Sequence, residues 1–235
     1  MLTAVAGGLI GGFAMLLGAV AAFHVHISAP VLGRIMAFAA GTLICAVTLE
    51  LTVQAYQESG GVPFLLGLTT GALCFYLGNR AIQRRFEDRT GGTAAAVVLG
   101  AVLDGIPESM SIGLTAATGD QVSVALVVSV FLSNVPEGVV PTPELQAAGW
   151  SRHRIVVMWT LIALACGASA LFGYLVLGAL PSFLDAFVLA FAAGTILTML
   201  SITLIPEGVE RAGPPVGLWV VFGYILSTIL VAATN

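Results

Sequence analysis

The segment AFAAGTLICAVTLEL (residues 37–51) lies in a long apolar run and has a near copy, AFAAGTILTMLSITL, at residues 190–204. The first six residues are identical, and most of the others are conservative exchanges. Chance is the competing explanation, because helices built from small residues draw on few amino-acid types. Chance does not account for a phenylalanine and a threonine in the same register, so we interpret the pair as an internal repeat.

The composition around the repeat is that of a membrane protein. Apolar residues make up 58% of the 235 residues, whereas charged residues make up 9%. Soluble domains carry about a quarter charged residues, so this chain cannot cover a water-facing surface. We therefore expect an integral protein in contact with the lipid bilayer. A net charge of −4 without a basic patch excludes binding to nucleic acid.

Eight apolar runs are long enough to cross a bilayer, which requires about 20 residues per helix. Turn-forming sequences separate the runs. These predicted spans, numbered 1 to 8, cover residues 3–23, 31–53, 62–79, 93–117, 122–140, 155–179, 183–205 and 215–233. The predicted fold is an all-α polytopic membrane protein with one transmembrane domain over residues 1–235.

The arginines predict how the spans are oriented, since the chain has no lysine. All of them follow odd-numbered spans, at positions 34, 80, 84, 85, 89, 152, 154 and 211. Acidic Glu58, Asp120 and Asp185 fall on the opposite side. The arginine side is then cytoplasmic, and both termini lie outside. Spans 2 and 7 run in opposite directions, which predicts a 3+2+3 inverted repeat with spans 4 and 5 in the middle.

Spans 4 and 5 each carry acids beside a proline, in LDGIPE (103–108) and LSNVPE (132–137). Further polar residues continue each pattern at helical spacing. On span 4 the polar face contains Asp104, Glu108, Ser111 and Thr115, and on span 5 it contains Ser129, Ser133 and Glu137, with Asn134 one turn from Glu137. Each proline also deprives a carbonyl of its amide donor. Carboxylates and freed carbonyls are oxygen ligands suited to a divalent cation.

The acids are expensive to keep at this depth. An ionised acid at the bilayer centre costs about 3 kcal/mol on insertion scales. No arginine of the sequence falls at the depth of Asp104, Glu108 or Glu137 to compensate them. Either a bound cation or a water-filled path compensates them, or the acids are neutral. Neutral acids bonded between helices and a proton relay therefore stay open as alternatives.

The sequences DGIPES (104–109) and SNVPEG (133–138) resemble the paired motifs of the Zrt-, Irt-like protein (ZIP) family of divalent metal transporters. The AFAAGT segments and LIPEG (204–208) resemble that family as well. The resemblance implies a divergent member with eight spans, outside termini and a 3+2+3 arrangement. The function it implies is transport of a divalent metal, of the Zn, Fe or Mn class, into the cytoplasm.

The resemblance also implies the ligands. Carried over residue by residue, the family's metal site falls on Asp104, Glu108, Asn134 and Glu137. Asp104 stands where the family usually has a histidine, and Gly105 and Ser133 replace side chains that help to bind a second metal. The resemblance therefore implies a single all-oxygen site, which favours Mn²⁺ or Fe²⁺ over zinc. Apart from the metal, no prosthetic cofactor is expected.

Four further residues are candidates for the pathway of the ion: Ser111, Ser133, Glu50 and Glu207. Glu50, near the outer end of span 2, suits either cation capture or an ordinary interfacial position. Glu207, near the inner end of span 7, suits either an exit path or a pair with Arg211 one turn away. The small residues of GGLIGG (7–12) suit contact with a second copy, as a homodimer, or packing within the chain.

Other functions remain open at this point. A membrane metal-binding protein or sensor would bind metal without transporting it, and a proton-linked carrier of another solute would respond to pH. Enzyme activity is not expected, because no nucleophile–base pair lies at depth. Cys45, Cys74 and Cys166 are expected as small core residues. The lack of lysine favours a bacterial protein of the cell (plasma) membrane.

Overall fold

The computed structural model describes residues 1–59, 61–86, 92–118, 122–175, 179 and 181–234. Within these ranges the chain is helical, without strands, and contains eight helices long and apolar enough to cross a membrane. The prediction of an all-α polytopic membrane protein is therefore confirmed. Arg89 and Asp120, which were used to predict the orientation, lie outside the described residues.

The helices follow the predicted spans, with differences at their ends. Spans 1, 3, 4, 6 and 8 are single helices: Leu2–Ala22, Gly61–Phe86, Gly92–Thr118, Arg152–Leu175 and Val216–Thr234. Span 5 is Val124–Val139, followed at once by the short helix Pro141–Ala147. Spans 2 and 7 are composite: Ala29–Ala46, Val47–Thr52 and Val53–Ser59, and then Ser182–Met199, Leu200–Leu204 and Ile205–Ala212.

Spans 2 and 7 continue beyond their predicted apolar runs, and in each a wider helical turn joins two α-helical parts. The middle segments Val47–Thr52 and Leu200–Leu204 are π-helical, with an extra residue in the turn. Pro206 does not end span 7, because it lies in the first turn of the helix that follows, where its missing amide has no partner to lose. Val47 and Leu200 occupy the same position in the repeat, which supports the inverted-repeat prediction.

Glycines at equivalent repeat positions bring backbones into direct contact. A Cβ atom at Gly41 would overlap the carbonyl of Val220 in span 8, and one at Gly194 would overlap the carbonyl of Leu68 in span 3. The contacts are reciprocal. A Cβ at Gly223 would meet the Phe38 carbonyl, and one at Gly71 would meet the Phe191 carbonyl. The repeats therefore interlock, since span 2 packs on span 8 and span 7 packs on span 3.

The interlocking divides the helices into two bundles, each with members of both repeats. The first bundle contains spans 1, 4, 5 and 6, in which span 1 packs on spans 5 and 6, and span 4 packs on span 6. The second bundle contains spans 2, 3, 7 and 8. The bundles meet chiefly where span 2 contacts span 5 and where spans 3 and 7 contact span 4. Spans 4 and 5, which carry the acids, therefore form the face of the first bundle.

The glycines of GGLIGG are used within the chain. Gly8 and Gly12 face span 6, where a Cβ at either would overlap Ala170 or Ala163. Gly7 and Gly11 face the side chains of spans 4 and 5, and all four glycines are buried. Of the two roles considered for GGLIGG, the structure shows packing within the chain. The homodimer stays a prediction, and this motif does not support it.

The reciprocal glycine contacts predict matched losses of stability. Gly41→Ala should lower the free energy of unfolding by about 1–3 kcal/mol, because the new methyl group forces span 2 away from the Val220 carbonyl. Gly194→Ala should cost a similar amount at the symmetric contact. Gly217→Ala is the control, since nothing lies within 4 Å of its Cβ position. Thermal unfolding of the purified variants in one detergent measures all three, and equal melting of Gly41→Ala and Gly217→Ala would contradict the packing.

Candidate metal centre

Three of the acids line one cavity of about 170 Å³ between the two bundles. Asp104 of span 4 and Glu137 of span 5 come from the first bundle, and Glu207 of span 7 comes from the second. The other lining residues are mostly apolar: Met36, Val97, Gly100, Ala101, Pro136, Val140, Pro141, Trp159, Thr203 and Leu204. The cavity runs from mid-membrane toward the end of span 7 that carries Arg211.

Glu108 lies deeper than the cavity and is completely buried. Neither of its carboxylate oxygens has a hydrogen-bond partner. The hydroxyl oxygens of Ser109 and Ser129 are also buried without such a partner. A buried carboxylate that is neither paired nor hydrogen-bonded is costly, so this position needs a compensating group that the described side chains do not supply.

Glu137 lies near the other three acids, so negative charges on these groups would repel one another. The Glu137 carboxyl group lies within electrostatic range of Asp104, Glu108 and Glu207, and one of its oxygens has no hydrogen-bond partner. Asp104 and Glu108 also interact, as expected one helical turn apart. We call Asp104, Glu108, Glu137 and Glu207 the carboxylate cluster. The cluster is formed by residues of spans 4, 5 and 7. It contains three of the predicted metal ligands together with Glu207, which was predicted for the pathway of the ion.

Arg211 neutralises only the inner end of this cluster. Its Nε and Nη2 atoms donate to Glu207 Oε1 at 3.0 and 2.6 Å, as the one-turn spacing allows. Glu207 therefore pairs with Arg211 and also lines the cavity, while its role in an exit path stays a prediction. Among the described side chains this is the single salt bridge of the cluster. Asp104, Glu108 and Glu137 have no cationic partner there.

The Asn134 side chain makes hydrogen bonds to protein groups, whereas the family resemblance implies that it is a metal ligand. Its Nδ2 atom donates to the Gly11 carbonyl of span 1 at 3.0 Å, and its Oδ1 atom accepts from the Ser133 hydroxyl at 3.4 Å. The side chain is fully buried, and its bond to Gly11 joins spans 5 and 1 inside the first bundle. The structure thus gives Asn134 a structural partner on a neighbouring helix.

The predicted hydroxyl residues bond to their own helices. Ser111 donates to the Glu108 carbonyl at 2.7 Å, and Ser133 donates to the Val130 carbonyl at 3.0 Å. Neither lines the cavity. Glu50 has Ser123, at the beginning of span 5, as its hydrogen-bond partner and also lies away from the cavity. The three remain predictions for the pathway, but only in a conformation that differs from this one.

Span 6 supplies donors next to Pro107. Ser169 donates to the Ile106 carbonyl at 2.9 Å, and the Cys166 thiol contacts the Gly105 carbonyl at 3.7 Å. Some backbone oxygens near the proline are therefore already engaged. Trp159, also of span 6, lines the cavity, and its indole N–H has no hydrogen-bond partner among the described atoms. Sequence reasoning missed span 6, because its residues carry no charge and follow an ordinary apolar pattern.

The cluster is not a closed coordination shell in this conformation. Across the residues that the structure describes, no three His, Cys, Asp or Glu side chains lie close enough together to hold a metal ion. The arrangement concentrates negative charge and free oxygen atoms along a cavity. Closing a shell around one ion would require the side chains to change rotamer.

Asn134→Ala tests whether this residue supports the fold or binds metal. Loss of the bond to Gly11 leaves a buried carbonyl unpaired, so the free energy of unfolding should fall by about 1–3 kcal/mol. The affinity for Zn²⁺ or Mn²⁺, measured by calorimetric titration of the folded variant, should stay unchanged. Ser133→Ala serves as the neighbouring control, because its hydroxyl bonds mainly within span 5. A large loss of affinity at unchanged stability would return Asn134 to the metal ligands.

Compared with known family models and with curated protein sequences, the chain matches none. The interpretation of the site therefore depends on its own geometry.

Proposed function

We propose that this chain is a ZIP-type transporter that carries a divalent cation of the Zn, Fe or Mn class across a bacterial cell membrane into the cytoplasm. The observation that carries the proposal is the carboxylate cluster. Asp104 and Glu137 line a cavity between the two bundles, and the fully buried Glu108 lies one helical turn after Asp104. None of the three has a cationic partner among the described residues.

A cation accounts for this arrangement better than structural packing does. Neutral acids that only join helices would bond to each other or to a backbone carbonyl, as buried polar groups do. Glu108 makes no such bond with either oxygen. A divalent ion would offset the repulsion among the acids, and its oxygen ligands are of the type present here. The cavity has room for several water molecules, which could complete the coordination.

Access to the cluster is one-sided. The cavity extends toward the arginine end of the protein, which the sequence predicts to be cytoplasmic. On the other side the apolar residues Val47, Leu51, Ile112, Leu126 and Val130 are completely buried and close the path. The conformation is therefore interpreted as inward-facing. Movement of the first bundle against the second would open the opposite side, as alternating access requires.

Transport assays in proteoliposomes test the proposal. Metal-dependent uptake should occur with the wild-type protein and fall at least about tenfold in Glu108→Gln, because the substitution removes a charged ligand without changing the side-chain volume. Glu144→Gln is the matched control, since Glu144 is an exposed acid on the helix after span 5. Uptake by Glu108→Gln at the wild-type rate would refute the mechanism.

A proton-linked carrier of another solute is the second candidate. One observation favours it: within the described part of the chain, no three His, Cys, Asp or Glu side chains lie close enough together to hold a metal ion. The same vesicles separate the candidates. Flux that follows a pH gradient and ignores added metal would support the carrier, whereas metal binding without flux would support a metal-binding protein or sensor.

A further inference from the structure

The one buried thiol beside the carboxylate cluster belongs to Cys166 of span 6. Its side chain is 1% exposed, its thiol contacts the Gly105 carbonyl of span 4 at 3.7 Å, and it lies within electrostatic range of Glu108 and Glu137. By contrast Cys45, also buried, contacts Thr228 between spans 2 and 8. Two buried thiols of the same chain thus lie in different bundles, and one of them faces the acids.

Gly105 allows the thiol to approach span 4. A Cβ atom at this position would lie 3.1 Å from Cys166 Sγ and 3.2 Å from the Met15 methyl carbon, both tighter than ordinary contact. The residue follows Asp104 directly and lies one turn before Glu108. Sulfur therefore occupies the space beside the acids that a side chain at position 105 would fill.

Glu108 provides a second, independent reason to place a ligand here. It is completely buried, and both of its oxygens lack a hydrogen-bond partner. Glu108, Glu137 and Cys166 do not lie close enough together to hold a metal ion in this conformation, so an ion between Glu108 and Cys166 requires their side chains to change rotamer. Once bound, it would satisfy the Glu108 carboxylate. An ordinary packing role for Cys166 accounts for the burial of the thiol but leaves both oxygens of Glu108 without a partner.

We propose that Cys166 is a sulfur ligand of the transported cation and gives the site a preference for thiophilic divalent ions, Zn²⁺ and Cd²⁺, over Mn²⁺. The inference rests on the proposed function. It changes the expected metal selectivity, because the family resemblance implied an all-oxygen site that favours Mn²⁺ or Fe²⁺. Thiolate ligands favour zinc-like ions, whereas manganese prefers oxygen. On binding, the ion replaces the thiol proton, which is released to solvent.

X-ray absorption of the zinc-loaded protein measures the proposed bond directly. The wild-type protein should give a Zn–S distance of about 2.3 Å in addition to Zn–O distances of about 2.0–2.2 Å. Cys166→Ser should retain only the Zn–O distances, and its dissociation constant for Zn²⁺ should rise at least about tenfold, with little change for Mn²⁺. The double variant Cys45→Ser, Cys74→Ser is the matched control and should behave like the wild type.

If Cys166→Ser does not fold, the double variant Cys45→Ser, Cys74→Ser still tests whether Cys166 binds the metal, because Cys166 is then the one thiol of the chain. A Zn–S distance and cadmium–thiolate ultraviolet absorption in that protein would support the proposal. A shell of oxygen atoms alone in the double variant, or an unchanged Zn–S distance in folded Cys166→Ser, would overturn it. Transport through an all-oxygen shell would refute this inference alone, whereas a Zn–S bond without any flux would refute the proposed function alone.

Discussion

Direct backbone contact between helices of opposite repeats is the constraint on which this structure depends. Glycines at equivalent positions let span 2 reach span 8 and let span 7 reach span 3. Helices in a bilayer gain little from the hydrophobic effect, so such close packing is a main source of their association. Because each contact joins one repeat to the other, neither repeat forms a separate body, and the acids of spans 4 and 5 lie where the two bundles meet.

That location explains how charged groups can exist at mid-membrane depth. Asp104 and Glu137 line the cavity between the bundles, and Arg211 offsets only the charge of Glu207. Glu108 remains dry and without a hydrogen-bond partner. The packing thus buries a carboxyl group without a partner, and its negative charge costs free energy unless a cation or a proton is bound to it. Because the free-energy cost of these buried acids depends on whether an ion is bound, the region is well suited to bind one.

The two π-helical segments suggest where the second bundle can deform. Val47–Thr52 and Leu200–Leu204 lie at the same repeat position, and such turns are frequent at functional sites. The first contains Glu50, which bonds to Ser123 at the outer end of span 5, and the second contains Thr203, which lines the inner cavity. Equivalent turns of the two repeats therefore contact different parts of the molecule: one bonds to the beginning of span 5, and the other borders the cavity.

The sequence by itself determined the helical membrane fold, the number of spans and the repeat, because length, apolar composition and register are local properties of the chain. It also identified Asp104, Glu108, Glu137 and Glu207, since acids in apolar runs stand out without any coordinates. Only the tertiary structure decided that Asn134 bonds to span 1 and that Ser111 bonds to its own helix, because a side chain's partner depends on how helices rotate and pack. For the same reason Cys166 and Trp159 of span 6 became visible beside the acids only in the folded chain: nothing in an apolar helix marks the face that packing turns toward a cavity.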